Sequence, residues 1–284
     1  MPPPAAPPLT LTLGYSPCPN DTFIFDAMVH GKVDTEGLSF EVLLADVEEL
    51  NRRALVSELA ITKLSYHAFG HVLDRYTLLR SGSALGRGVG PLLVKSKKEN
   101  FGVVTVSSRV AIPGMLTTAN YLFSLAYPTV KDLRVYVFDQ IERAVLDGEV
   151  DAGVIIHENR FTYAERGLAK IADLGDYWER TTGHPIPLGG IAVHNTLDRE
   201  VQARIGRVLR RSVEYALAHP QASQDYVWQH AQEMDPTVIQ QHIELYVNEY
   251  TRDLGAKGSA AVRHFLEDGR AKGILPPGRE DYII

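Results

Sequence analysis

His157 is the side chain of this sequence best suited to move a proton. It follows the apolar run Val154-Ile-Ile, which predicts a strand that presents the imidazole at its carboxyl end. Histidine takes and returns protons near neutral pH because its unperturbed pKa is about 6.5. The adjacent Glu158 and Arg160 either orient the ring and hold a substrate anion or are ordinary solvated residues. Since a lone histidine is commonly structural, the local pattern leaves the role of His157 open.

Two loops place polar side chains at the predicted start of a helix. Asn20 and Asp21 follow the loop that begins at Ser16, where they either contact a ligand or simply cap the helix. Thr117 and Thr118 place two hydroxyls beside free backbone N–H groups and the positive end of the helix dipole. Capping explains one of these threonines, and the second favours a site for a carboxylate or phosphate.

Lys63 and Cys18 have side chains that are unusual for their predicted surroundings. Lys63 lies in a strand-like apolar run that ends at Ser65. A buried ammonium is costly unless it reaches water or an anion, which a cleft would supply, and an exposed edge position is the alternative. Cys18 lies in a Pro-Cys-Pro loop with no histidine beside it in the sequence, which favours a close-packed thiol over a reactive one.

The remaining histidines do not form a complete metal-binding pattern. His67 and His71 stand four residues apart, but no third ligand shares their helical register. We therefore predict no bound metal. Four more histidines lie in predicted helices and are interpreted as surface or packing residues, namely His219, His230, His242 and His264.

Composition and charge indicate a globular protein without a polyanionic partner. The chain has 284 residues, with 29 Lys and Arg against 35 Asp and Glu, and a formal net charge of −6. Without a basic surplus, we predict neither nucleic-acid nor membrane binding. The single cysteine forms no internal disulfide. The first residues lack the pattern of a secretory signal and no apolar run reaches about 20 residues, so we predict a cytoplasmic protein whose residues 1–8 form a Pro-rich disordered leader.

The order of predicted strands and helices indicates an α/β protein built from two similar lobes. A strand at 109–112, a loop and a helix at 117–126 repeat the order of a strand at 11–15, a loop and a helix at 21–30. A second pair of segments, beginning at Arg53 and at Arg143, repeats a helix, a turn and a strand. This duplication predicts two lobes of the same build.

The lobes are predicted to be discontinuous in the sequence. Four glycines within 81–90 predict a bend at the first crossing, and the segment 189–193 is predicted as the second crossing. The long helices after residue 198 most simply pack back on the first lobe. The first lobe is then formed by 9–92 with 194–284, and the second lobe by 93–193.

Five strings of residues, taken together, resemble a known family. They are Ser16-Pro-Cys-Pro-Asn-Asp-Thr-Phe-Ile-Phe25, Thr62-Lys-Leu-Ser-Tyr66, Leu85-Gly-Arg-Gly-Val-Gly-Pro91, Thr117-Thr-Ala119 and Ile155-Ile-His-Glu-Asn-Arg-Phe-Thr-Tyr163. They are similar to the motifs of the 1,4-dihydroxy-6-naphthoate synthases, which act in the futalosine route to menaquinone. The resemblance runs from about Leu11 to Tyr250.

This resemblance implies a fold like that of type II periplasmic binding proteins, with a cleft between the lobes. It implies a carbon–carbon lyase that converts cyclic dehypoxanthinyl futalosine to 1,4-dihydroxy-6-naphthoate and dihydroxyacetone, with no cofactor or metal and a small carboxylate as substrate. It also implies that His157 is the general base. The substrate-binding residues are then Lys63, Leu64, Ser65, Thr117 and Thr118, with Asn20 added from its place at a helix start.

Two other functions stay open at the level of sequence. The implied fold mostly serves to bind small anions without catalysis, and a fold alone does not determine function. Chorismate dehydratase, a sister enzyme of the same pathway, has a similar two-lobed fold. The Ile-His-Glu and Ser-Pro-Cys-Pro-Asn-Asp strings favour the naphthoate synthase, and the missing export signal argues against a transport receptor. The oligomeric state stays open.

Overall fold

The chain forms two β-sheets flanked by helices. The structure is a computed structural model that describes residues 8–99 and 104–284, so residues 1–7 of the predicted leader lie outside the described residues. Within that part of the chain the strands are β1 (Leu9–Tyr15), β2 (Leu38–Leu44), β3 (Ile61–Ser65), β4 (Tyr76–Leu78), β5 (Ala84–Gly86), β6 (Leu92–Ser96), β7 (Arg109–Ile112), β8 (Asp132–Val135), β9 (Ala152–Ile155), β10 (Leu168–Asp173) and β11 (Ile186–His194).

In the described residues, α-helices and strands are interspersed up to β11, with no α-helix between β4 and β7, and helices without further strands come after β11. They are α1 (Pro19–Val29), α2 (Val47–Leu55), α3 (Tyr66–Gly70), α4 (Thr118–Ala126), α5 (Ile141–Leu146), α6 (Asn159–Thr162), α7 (Leu174–Thr182), α8 (Arg199–Ala218), α9 (Gln224–His230), α10 (Pro236–Tyr246), α11 (Glu249–Arg252) and α12 (Gly255–Ala271). Two short 3₁₀ turns precede α5 and α9. No helix in these described ranges is both long and apolar enough to cross a membrane.

The first sheet holds β1 to β5 together with β11, and we call the part of the molecule around it the first lobe. Its order is β2-β1-β3-β11-β4, with β5 paired to β11. β1 runs parallel to β2 and β3, whereas β11 runs antiparallel to its neighbours. The carboxyl ends of β1 and β3 therefore lie at the same edge, where ligands commonly bind in α/β sheets.

The second sheet, in the order β10-β6-β9-β7-β8, defines the second lobe. β7 runs parallel to β8 and β9, and β6 runs antiparallel to β9 and β10. The carboxyl ends of β7 and β9 thus share an edge. The loop into α4 leaves one of them and His157 follows the other, so the parallel pairing brings two distant predicted site segments together.

Two predicted lobe limits differ from the sheet pairings. Leu92 already belongs to the second sheet as the first residue of β6, and the segment 189–193 lies inside β11 of the first sheet. The paired glycines of that segment mark close packing rather than a crossing. A Cβ atom at Gly189 would lie 2.9 Å from the Leu64 carbonyl oxygen, and one at Gly190 would lie 2.9 Å from the Tyr66 hydroxyl. The exact lobe limits otherwise stay a prediction.

The predicted packing of the long helix α8 on the first lobe is confirmed. α8 lies against α1 and buries an apolar stripe at the helical period, formed by Ile205, Val208, Leu209 and Val213. Burial of each such side chain stabilises the fold by about 1.5 to 3 kcal/mol. This packing holds α1, and with it the loop between β1 and α1, in a defined position.

The last helix, α12, contacts both lobes instead of the first alone. The Phe265 ring lies 6.5 Å from the Tyr66 ring of the first lobe and 4.4 Å from the Tyr121 ring of the second, centroid to centroid. The Tyr121 hydroxyl also donates a hydrogen bond of 2.7 Å to Asp268. The C-terminal helix therefore ties the lobes together.

Candidate active site

A cleft between the lobes holds almost all the predicted site residues. It encloses roughly 650 Å³, counting the part open to solvent, which is within the usual range for small-molecule sites. Both sheets contribute to its wall. The predicted residues that line it are Asn20, Lys63, Ser65, Thr117, Thr118 and His157.

His157 reaches the cleft because its backbone adopts a left-handed conformation. The strand β9 ends at Ile155, and His157 has a φ of +57°. Residues other than glycine adopt this left-handed conformation at a cost of about 1 to 2 kcal/mol. Residues held in such conformations cluster at functional sites. The edge of the Phe138 ring packs on the imidazole at a centroid distance of 4.7 Å. The ring is therefore held in place on one side and partly open to the cleft.

The surroundings of His157 keep its imidazole neutral. Burial lowers the pKa of His157 to about 4; the nearby Asp21 acts in the opposite direction, and Lys63 lowers the pKa further. A neutral imidazole near pH 7 has one nitrogen free to accept a proton. The site thus provides what a general base requires.

Cys18 is a partner of His157 that its position in the sequence did not indicate. Its sulfur lies 3.5 Å from Nδ1 of His157, although the two residues are 139 positions apart. Burial raises the pKa of the Cys18 thiol well above its usual value. The thiol is therefore close-packed and protonated, as predicted, and it contacts the imidazole rather than acting as a nucleophile.

Lys63 reaches an anion, and that anion is the protein's own Asp21. The two side chains form a buried ion pair. Asp21 also accepts a hydrogen bond of 2.7 Å from the Ser16 hydroxyl and one of 2.8 Å from the Asn20 amide. The alternative in which Asn20 or Asp21 caps the helix is wrong, because α1 begins at Pro19 and Cys18 is its N-cap residue.

Leu64 is the one predicted substrate-binding residue whose side chain does not line the cleft. Side chains alternate between the two faces of a strand, so Lys63 and Ser65 face the cleft and Leu64 faces away. Leu64 is buried in the hydrophobic core beside Tyr66. Ser65 is held by Asn51, which donates a hydrogen bond of 3.1 Å to its hydroxyl. The prediction of a binding role for the Leu64 side chain is therefore not supported by its position.

The two threonines at the start of α4 have hydroxyls that already bind protein groups. Thr117 is the N-cap residue, and its hydroxyl accepts from the Asn120 N–H at 3.2 Å. The Thr118 hydroxyl donates to the Leu188 carbonyl at 2.7 Å, across to β11. The backbone N–H groups of Thr118 and Ala119 lie in the first turn, where helical donors have no partner within the helix. These N–H groups, rather than the hydroxyls, are the donors suited to an anion.

Arg160 is a structural residue of the second lobe. Its guanidinium donates to the Gly90 carbonyl and forms an ion pair of 3.3 Å with Asp173. These contacts fasten the segment that follows His157 to the first crossing and to the end of β10. The interpretation of Arg160 as a substrate anion ligand thus receives no support from its contacts.

His242 lies behind the cleft wall and makes a contact that the sequence did not indicate. It was interpreted as a surface or packing residue of its helix, but its side chain is fully buried and its Nε2 lies 2.9 Å from the Asn20 amide oxygen. The imidazole is nearly parallel to that of His157 at a centroid distance of 6.2 Å. The signal that could have found it is the helical spacing of Ile239, His242 and Tyr246, all of them buried on one face of α10.

Glu48 of the first lobe contacts the loop before α4 in the second lobe. The Glu48 carboxylate accepts a hydrogen bond of 3.2 Å from the Leu116 N–H. A Cβ atom at position 114, where φ is +154°, would lie 2.3 Å from Cδ of Glu48. An added methyl group there would force the Glu48 carboxyl to move and would disturb its hydrogen bond to Leu116.

Gly114→Ala should lower the free energy of unfolding by about 2 to 4 kcal/mol, because a strained backbone and an overlap with Glu48 act together. Gly148→Ala is the matched control, since Gly148 also has a positive φ, of +76°, but has no atom within 4 Å of an added Cβ. Its expected cost is about 1 to 2 kcal/mol. Urea unfolding measures both. Equal losses in the two variants, or no recovery when Glu48→Ala is added to Gly114→Ala, would contradict the overlap.

Comparison with known proteins identifies the family. Residues 11–271 match the family described as menaquinone biosynthesis. The chain belongs to this menaquinone biosynthesis family. Two curated relatives are named 1,4-dihydroxy-6-naphtoate synthase. The relative from Thermus thermophilus is 47% identical over 274 residues, covering 96% of this chain and 99% of the relative, and the one from Streptomyces coelicolor is 46% identical over 273 residues, covering 94% and 95%.

Solved structures confirm the predicted fold for this member of the menaquinone biosynthesis family. A crystal structure of a protein from Archaeoglobus fulgidus is similar with a TM-score of 0.88 and 36% identity, covering 94% of this chain and 98% of that protein. A Candida albicans protein with the generic periplasmic binding protein fold gives a TM-score of 0.68 at 13% identity, covering 97% and 96%. An alkanesulfonate-binding protein from Xanthomonas axonopodis, bound to MOPS, gives 0.69 at 13% identity, covering 96% of each chain.

Proposed function

We propose that this protein catalyses the reaction of the 1,4-dihydroxy-6-naphthoate synthases. The substrate is cyclic dehypoxanthinyl futalosine, and the products are 1,4-dihydroxy-6-naphthoate and dihydroxyacetone. The family match and the names of the two curated relatives support this assignment. The structural observation that carries it is the neutral imidazole of His157, held by a left-handed backbone at the wall of the interlobe cleft.

In the proposed mechanism His157 starts the cleavage as a general base. It takes the proton of a sugar hydroxyl, the oxygen electron pair forms a carbonyl, and the neighbouring carbon–carbon bond breaks. The electron pair of that bond passes into the ring, which becomes aromatic, and aromatisation supplies the driving force. The protein then needs a base and accurate positioning more than a strong electrophile.

The substrate carboxylate is proposed to bind at the start of α4. The N–H groups of Thr118 and Ala119 and the positive end of the helix dipole favour an anion there. Lys63 and Ser65 line the opposite wall, from the first lobe. Because Lys63 is already paired with Asp21, its role is to donate a hydrogen bond rather than to add a net positive charge.

Incubation of the purified protein with the cyclic intermediate tests the function. Release of naphthoate, followed by liquid chromatography, is the expected result. Turnover of chorismate instead would indicate the sister dehydratase, and binding of the cyclic intermediate without any product would indicate a small-anion binding protein. A cytoplasmic location, like the expected lack of nucleic-acid and membrane partners, stays a prediction.

The pH dependence of kcat/KM provides a test of the base. Only neutral imidazole accepts a proton, and the pKa of His157 is about 4, so activity should stay level from pH 8 to about pH 5 and be halved near pH 4. An unperturbed histidine would give the half-loss near pH 6.5. An NMR titration of the His157 ring should give the same low midpoint. Circular dichroism at each pH shows whether a loss of activity comes from acid unfolding instead. A midpoint near 6.5 in both measurements would contradict the neutral buried base.

A further inference from the structure

Asn20 has an amide orientation that its neighbours determine. Asp21 is paired with Lys63 and can only accept hydrogen bonds, so the Asn20 NH₂ group faces it at 2.8 Å. The Asn20 oxygen is thereby turned toward His242, whose Nε2 lies 2.9 Å away. Since an amide oxygen is only an acceptor, the proton of the His242 ring must be on Nε2.

The other ring nitrogen of His242 faces Glu158. Burial, together with the neighbouring His157 and Lys63, lowers the pKa of His242 well below its usual value, so the ring is neutral and Nδ1 carries a lone pair. Nδ1 lies 3.6 Å from Oε2 of Glu158, and both side chains are more than nine-tenths buried. Among the described residues neither atom has a hydrogen-bond partner.

Two buried lone pairs that face each other cost free energy unless a proton lies between them. The separation of 3.6 Å exceeds the usual N···O range by about half an ångström, so a hydrogen bond here requires the Glu158 carboxyl to approach Nδ1 by that distance. Burial raises the pKa of Glu158, which agrees with a carboxylic acid at this position. A protonated Glu158 can donate to Nδ1, whereas a carboxylate cannot.

We propose that Glu158 and His242 share one buried proton and act as positioning residues for Asn20, Asp21 and Lys63 in the cleft wall. The chain of contacts starts directly after His157 in the second lobe, passes through α10 and ends at the first turn of α1 and at β3 in the first lobe. It supports, from the His242 side, the direction of the Asn20 amide that Asp21 also favours, and with it the hydrogen bonds around Asp21. Neither Glu158 nor His242 lines the cleft, so both act through Asn20 rather than on the substrate.

The tautomer of His242 tests the proton directly and without substrate. In a ¹H–¹⁵N spectrum of the protein with labelled histidines, the ring signals of His242 are those that disappear from the spectrum of His242→Gln. We expect a neutral ring with the proton on Nε2 from pH 5 to pH 8. The ¹⁵N chemical shift of Nδ1 should change in Glu158→Ala but should be largely kept in Glu158→Gln, because the glutamine amide can still donate a hydrogen bond. A ring protonated on Nδ1, or an Nδ1 chemical shift that is the same in Glu158→Ala and in wild type, would overturn the proposal.

The kinetic arm of the test rests on the proposed lyase function. His242→Gln keeps a donor toward Asn20 and should stay within about 5-fold of the wild-type kcat/KM, whereas His242→Phe should lose about 10- to 100-fold, mainly through KM. His264→Gln, a histidine substitution outside the cleft, is the control and should match wild type. Equal losses in His242→Gln and His242→Phe, with both variants folded, would exclude the positioning role. A wild-type protein without lyase activity overturns the function but leaves the tautomer measurement valid.

Discussion

His157→Asn is expected to lower kcat by two to four orders of magnitude with little change in stability. General bases contribute about 10²- to 10⁴-fold to the rate, and an asparagine side chain has no site that takes up the substrate proton. Asparagine is also among the residues that tolerate a left-handed backbone, so it accommodates the φ of +57° at this position. Steady-state kinetics with the cyclic intermediate measures the loss, and KM should change little.

The choice of asparagine separates chemistry from folding. His157→Ala removes the same base, but alanine tolerates the left-handed backbone less well, so it combines loss of the base with backbone strain. Both variants should show the same loss in kcat, and only alanine should lower the melting temperature. Turnover of His157→Asn at the wild-type rate would rule out the base assignment while the lyase function survived.

Asp21→Asn is expected to lower the free energy of unfolding by about 3 to 5 kcal/mol. Asp21 is 1% exposed and Lys63 is 6% exposed, so removing one charge leaves the other buried without its counter-charge. Lys63→Met should have a loss of similar size. The double variant should recover most of the loss, because two neutral side chains of similar volume no longer bury an uncompensated charge. Urea unfolding of the four proteins gives the coupling free energy between the two positions.

An exposed ion pair provides the matched control for this cycle. Arg143 lies in α5 and Asp147, four residues later, is the C-cap residue of that helix. Their side chains are 86% and 52% exposed. Asp147→Asn should change the free energy of unfolding by less than about 0.5 kcal/mol, since water solvates whichever charge remains. If Asp21→Asn costs no more than Asp147→Asn, the buried ion pair is not the stabilising contact that its geometry indicates.

Several elements were predictable from local sequence patterns. The strand at 109–112 has the predicted bounds, and the long helix α8 packs on the first lobe, as predicted for the helices after residue 198. The segment 189–193 is strand-like in the sequence and was predicted as the second crossing. It lies inside β11 of the first sheet, where it pairs with β3, which is far away in the sequence.

The sequence by itself determined the α/β class, the two-lobed build, the family and six of the residues that line the cleft, because these follow from periodicity and from contiguous motifs. Only the tertiary structure decided the partners of those residues. Cys18 meets His157 across 139 positions and His242 meets Asn20 across 222, and no local spacing encodes such contacts. Burial, which raises the pKa of Glu158 and lowers the pKa of His157, is likewise a property of the packed lobes. The candidate catalytic and binding residues could be identified from the sequence, whereas their protonation states depend on burial in the folded protein.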